Sequence, residues 1–181
     1  LCDVQITPEE TSKLQENLLI THAVGVGNPI DKQLSKVMMI CKVHALCQGF
    51  SGVRLELIER ILYFIENDLL PIVPEQGSVG ASGDLAPLSH LFLPLIGLGK
   101  IEHKGKIYDT PSFFKKHNLS PLELGPKEGL ALINGTQFIA AHAVKVIEKL
   151  QSCLAQADII GAMMIEGLQG SVKPFFNELH A

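Results

Sequence analysis

The sequence predicts a mainly α chain with one small β-hairpin. Apolar residues recur at helical spacing in three successive stretches, each bounded by a start or stop signal. A fourth stretch, from about Gly135 to Leu168, is Ala-rich and low in charge over a length that suits the centre of a helical bundle. The clearest strand signal is Lys100 to Tyr108, with Gly105 at its turn.

Thr7-Pro8-Glu9-Glu10 starts the first helix: Thr as N-cap, Pro in the first turn, acidic residues at the positive dipole end. Leu14, Leu18, Leu19 and His22 follow at helical spacing, and Gly25-Val26-Gly27-Asn28-Pro29 ends it. A second helix, Asp31 to Cys47, is apolar over much of its circumference and is expected to be buried on more than one side. A third, Arg54 to Asn67, carries Leu57, Ile58, Ile61, Leu62 and Ile65 on one face. Pro71 to Glu75 is non-helical because each Pro disfavours helix at and before its own position. Pro87 to Leu98 is a helix bent at Pro94. Thr110-Pro111 opens a short helix, and Pro121 to Gly129 is an extended connection.

The chain has 181 residues, 46% apolar and 19% charged, enough for one domain with a sizeable core. A net charge of −4 leaves no basic stripe for nucleic acid, and the lack of Trp leaves no stacking platform for bases. The longest unbroken apolar runs, Leu91 to Leu98 and Ile159 to Ile165, are too short to cross a bilayer. No signal-peptide pattern opens the sequence, so the expectation is a cytoplasmic protein without nucleic-acid or membrane partners. Cys2, Cys41, Cys47 and Cys153 form no C-x-x-C pair, and no metal is expected.

The most informative segment is Gly77 to His90, Gly-Ser-Val-Gly-Ala-Ser-Gly-Asp-Leu-Ala-Pro-Leu-Ser-His. Its Gly and Ser content alone fits a solvated turn between two helices. Its centre permits something else. In a tight turn the Gly83 nitrogen can attack the Ala81 carbonyl carbon, because neither residue has a side chain that blocks the approach. Loss of two waters, one carrying the Ser82 hydroxyl, leaves a five-membered ring with an exocyclic methylidene. Such a ring is an electrophile that no ordinary side chain supplies. Other glycine-rich readings fail: Gly25-Val26-Gly27 has Ile30 where a dinucleotide fingerprint needs its third Gly, and no Gly-Lys-Ser/Thr triplet ends a P-loop.

This run resembles the signature of the aromatic amino acid ammonia-lyases. Asn134-Gly135-Thr136-Gln137 is similar to that family's second motif. His22-Ala23-Val24-Gly25-Val26-Gly27, preceded by Leu14-Gln15-Glu16-Asn17-Leu18, resembles the segment lining its substrate side-chain pocket. The resemblance implies a helical fragment of the ammonia-lyase fold: residues 1–181 as a single partial domain from its N-terminal half, holding the cofactor loop 77–90. It implies a 4-methylidene-imidazol-5-one made from Ala81, Ser82 and Gly83, with ammonia leaving the substrate as a double bond forms. Asp84 is expected either to cap a helix or to assist ring formation. Asn134 is expected to contact cofactor or substrate, its alternative being a cap for the long helix. Gln137 is a weaker candidate of the same kind. His22 is the expected specificity residue, its alternative being a core histidine. Thr21-His22 is similar to a Ser-His pair in histidine-specific members, which implies deamination of L-histidine to urocanate. Tyrosine or phenylalanine lyases, aminomutases with the same cofactor, and a non-catalytic assembly fragment are the alternatives. The resemblance also implies a homotetramer, a catalytic base upstream of Leu1, further substrate-binding residues downstream of Ala181, and an isolated chain without activity.

Overall fold

In the computed structural model, which describes residues 7–80 and 83–180, helix α1 (Pro8–His22) starts at Thr7. The Glu10 carboxylate accepts from the Thr7 backbone N–H at 3.1 Å, satisfying a donor that the helix itself cannot. Strand β1 (Val26–Pro29) follows, where only a helix stop was expected. Helix α2 (Lys32–Leu46) is capped by Asp31, whose carboxylate accepts from Gln33 N at 2.8 Å. Its buried residues are Leu34, Ser35, Met38, Met39, Lys42 and Leu46, a single stripe at spacings of three and four. Burial on more than one side was expected from its apolar content. Ile40 is instead exposed, because one face alone meets the core. Helix α3 (Leu55–Glu66) buries Leu57, Ile61 and Phe64.

Strands β2 (Leu70–Pro71) and β3 (Pro74–Gln76) occupy the Pro-rich segment. Strand β3 pairs antiparallel with β1, Val26 facing Gln76 and Pro29 facing Pro74. Helix α4 (Leu85–Phe92) passes into a 3-10 turn over Leu93–Ile96, with the break at Pro94 as expected. The hairpin is β4 (Lys100–His103) and β5 (Lys106–Asp109). Its turn has φ +51° at Lys104 and +77° at Gly105, the positive values a two-residue hairpin loop requires. Strand β2 adds to this hairpin, giving an antiparallel sheet in the order β2-β4-β5. Helices α5 (Thr110–His117) and α6 (Glu128–Ile133) precede the long helix α7 (Gln137–Gly167).

The chain divides into two units, Leu1–His142 and Ala143–Ala181. The first contains one core, to which Leu19, Met38, Phe64, Leu91, Phe92 and Leu132 contribute fully buried side chains. α1 packs on α4 and α6, and α4 on α6, so the three elements that carry the motifs share this core. A four-point clamp fixes the start of α6. The Glu128 carboxylate, 1% exposed, accepts from Arg54 Nε, Nη2 and N and from Gly125 N at 2.7–3.0 Å. The second unit holds the rest of α7 and two short 3-10 turns. Ile147, Leu150, Leu154, Ile160 and Met164 are each more than half exposed there. By length and composition the run 128–167 contains a stretch apolar enough to cross a membrane, with a mean hydropathy of 1.4 over its best window. That differs from the expectation drawn from unbroken runs, because the average over a helix tolerates scattered charges. The run is nevertheless interrupted between Ile133 and Gln137.

Candidate active site

Two bare backbones bring the segment from His22 to Gly27 to the cofactor loop. A Cβ on Gly77 would lie 3.1 Å from the Gly25 Cα, and one on Gly25 would lie 3.1 Å from the Gln76 carbonyl oxygen. Glycine at both positions therefore allows the β1 and β3 segments to approach this closely. The contact is fastened by His90 of α4, whose Nε2 accepts from the Gly25 N–H at 3.0 Å. Burial holds the His90 pKa below its ordinary value, which keeps the ring neutral and able to accept. No role was expected for His90, since nothing in the sequence links positions 65 residues apart.

Asp84 joins the loop to the second motif. It is fully buried, and both carboxylate oxygens are used. Oδ1 accepts from the Ser78 hydroxyl at 2.8 Å. Oδ2 accepts from the backbone N–H groups of Phe138 and Ile139 at 3.1 and 3.2 Å. These are first-turn donors of α7, so the carboxylate sits at that helix's positive end. The expected capping role is thus present, but on amides 54 and 55 residues downstream. Asp84 makes no side-chain cap bond to α4, the helix it precedes. Its own N–H donates to the Gly135 carbonyl at 3.0 Å. Ser78 also accepts from the Gly80 N–H at 3.3 Å, which ties the loop's first half to the same carboxylate.

Ala81 and Ser82, two of the three expected cofactor precursors, lie outside the described residues. Gly83 is buried with φ +94°, a value that glycine adopts without strain. A Cβ there would stand 3.3 Å from the Gly135 oxygen, so the position suits a residue without a side chain. The Gly83 N–H donates to the Gly80 carbonyl at 3.0 Å, a bond that ring closure would give up. The described residues therefore fit the expected ring: a bare, tightly held backbone beside a buried carboxylate. Among them, no group of three or more His, Cys, Asp or Glu is placed to hold a metal.

Asn134 is the C-cap of α6 and does not cap α7, where Asp84 takes that place. The residue is exposed, and the Lys42 ammonium donates to its backbone carbonyl at 2.9 Å. Gln137 folds back over Gly135, whose Cβ position its amide fills, and Gly135 has φ +150°. Its Oε1 is buried without a hydrogen-bond partner among the described residues, an acceptor open to a donor. His22 closes α1 and is half-buried. Its Nδ1 lies 2.8 Å from the Leu18 carbonyl, which can only accept, so in a neutral ring Nδ1 carries the proton and Nε2 is left as the acceptor. The Thr21 hydroxyl turns back to the Asn17 carbonyl at 2.8 Å. Ser78 and Lys42 were not among the expected site residues. A Ser two residues before a Gly is a recognisable local turn signal, whereas a buried Lys among apolar neighbours in α2 looks like a surface residue.

A model of the aromatic amino acid lyase family matches residues 1–181. Among curated proteins, histidine ammonia-lyase of Shouchella clausii is 47% identical over 178 residues, 98% of this chain and 36% of the relative. Among solved structures, histidine ammonia-lyase from Trypanosoma cruzi superposes with a TM-score of 0.89 at 36% identity, over 96% of this chain and 34% of that one. Tyrosine aminomutase from Streptomyces globisporus gives 0.87 at 34% identity, over 96% of this chain and 32% of that one. The chain thus spans about a third of the length of these relatives. With the family model matched from end to end and the fold reproduced, the chain belongs to the aromatic amino acid lyases.

Proposed function

We propose that this chain forms the cofactor-bearing part of an ammonia-lyase that converts L-histidine to urocanate and ammonia. The observation that carries the reading is the meeting of three distant segments through Asp84 and Gly25. The ring made from Ala81, Ser82 and Gly83 supplies an electrophile once formed. Asp84 and Ser78 hold the loop that precedes it. The Asn134 amide offers a donor where charge develops during reaction. The His22 Nε2 accepts from the N–H of the substrate imidazole, which an apolar ring does not offer. Residues 1–181 are a single partial domain from the N-terminal half of the family fold, the catalytic base comes from outside this chain, and the fragment alone is inactive. A cytoplasmic location and a tetramer built on α7 belong to the same proposal. An aminomutase or lyase acting on tyrosine is the second reading, because a phenol also offers a donor to Nε2 and the tyrosine aminomutase superposes almost as well.

His22→Leu, in an enzyme of full family length carrying this chain, tests the substrate. Loss of one buried hydrogen bond costs about 1–3 kcal/mol, or roughly 5- to 150-fold in kcat/KM for histidine. Activity toward phenylalanine falls far less or rises. A core histidine would instead lower stability and all substrates equally. Unchanged discrimination in a folded variant removes His22 from the site.

A further inference from the structure

Lys42 is 1% exposed, yet no carboxylate bonds to it among the described residues. Its ammonium donates to the carbonyls of Ala131 and Asn134 at 3.0 and 2.9 Å, 89 and 92 residues along the chain. A buried cation without a counter-ion is costly, and a Met of similar length fills such a space without that cost. Burial lowers the Lys42 pKa to about 8, in keeping with the missing partner.

What these two bonds hold is the last turn of α6 and its C-cap, where the segment leading to α7 begins. Lys42 takes the carbonyl of residue 134, and the Asp84 N–H takes the carbonyl of residue 135 at 3.0 Å. Two successive peptide groups are thereby fixed by two separate elements, α2 and the cofactor loop. The intervening residue is Gly135, and the first of the two peptide groups is joined directly to the Asn134 Cα, so the direction of the Asn134 side chain relative to Gly83 depends on how that group is held. We infer that Lys42 is a positioning residue for Asn134, its ammonium fixing the peptide from which the Asn134 amide reaches the reacting groups. The inference rests on the role proposed above for Asn134.

The test is a double-mutant cycle in an enzyme of full family length carrying this chain. Lys42→Met is expected to lower kcat by about 10- to 100-fold, the scale of a small misplacement, with KM changed far less. Hydrogen exchange across residues 131–137 rises, while the mass loss that marks ring formation is retained. Lys42→Gln, which keeps a neutral donor, gives an intermediate kcat and serves as the comparison if Lys42→Met does not fold. In an Asn134→Ala background the Lys42 change should alter kcat by less than about twofold, since two residues acting as a unit are non-additive. Full multiplication of the two losses would overturn the inference, as would normal kcat in a folded Lys42→Met enzyme when Asn134→Ala is impaired. Normal activity in Asn134→Ala itself would sink the role of Asn134, and that of Lys42 with it.

Discussion

Replacing Asp84 separates a structural clamp from an ornament. The carboxylate is fully buried and receives three hydrogen bonds, from the Ser78 hydroxyl and the Phe138 and Ile139 amides. Asp84→Ala leaves all three donors without their acceptor. Loss of a helix cap costs about 0.5–2 kcal/mol. Leaving a buried donor unsatisfied costs about 1–3 kcal/mol more. The Ser78 hydroxyl can rotate toward another acceptor, so the expected total is about 3 kcal/mol, or roughly 6–12 °C in Tm for a chain of this size. Asp84→Asn behaves differently. Its carbonyl oxygen can keep the two α7 amides while its NH2 donates to Ser78, which has a free lone pair. Only the charge at the helix end is lost, about 1 kcal/mol. Urea unfolding of both variants, with hydrogen exchange read at Phe138 and Ile139, measures these differences. A cost under about 1 kcal/mol for Asp84→Ala, or equal destabilisation of the two variants, would refute the clamp.

Three further outcomes are expected. His90 accepts as a neutral ring and its pKa is depressed by burial, so its contribution to stability is full above about pH 6.5 and is lost as pH falls through the lower folded value; a pH series of unfolding curves should show a step that His90→Gln abolishes. The exposed apolar side chains of α7 should drive self-association of the isolated chain, and a monodisperse monomer by light scattering would count against this. The isolated chain should retain its linear mass, because it spans only about a third of its relatives' length and lacks the packing that would compress the loop, whereas an enzyme of full family length should be lighter by about 36 Da, two waters.

The helices were readable where capping residues and apolar spacing agree. Thr7, Asp31 and Pro94 mark their boundaries to within a residue or two. Strands β1, β2 and β3 were not readable, since two- to four-residue segments rich in Pro and Gly carry no alternation. The short α6 was lost in a Pro- and Gly-rich stretch and is held by Arg54, a partner 74 residues away. The site follows the same division. The candidate residues were legible as motifs, but their connections were not. Asp84 was expected as a cap without its helix being known, and Asn134 as a possible cap of α7 that Asp84 in fact provides. His90 and Lys42 act through backbone atoms far along the sequence, and no local pattern encodes such a contact.

The bond from Asp84 to Phe138 spans 54 residues, and that separation carries a cost in time. Contacts between distant positions form only after the intervening chain exists and has closed its loop. On a ribosome adding about 5–20 residues per second, residue 138 emerges on the order of 3–11 s after residue 84. During that interval the loop has its local tie to Ser78 but no helix end to rest against. Any covalent maturation that needs an immobile loop is therefore post-translational with respect to the first half of this chain, and its clock starts when the first turn of α7 arrives.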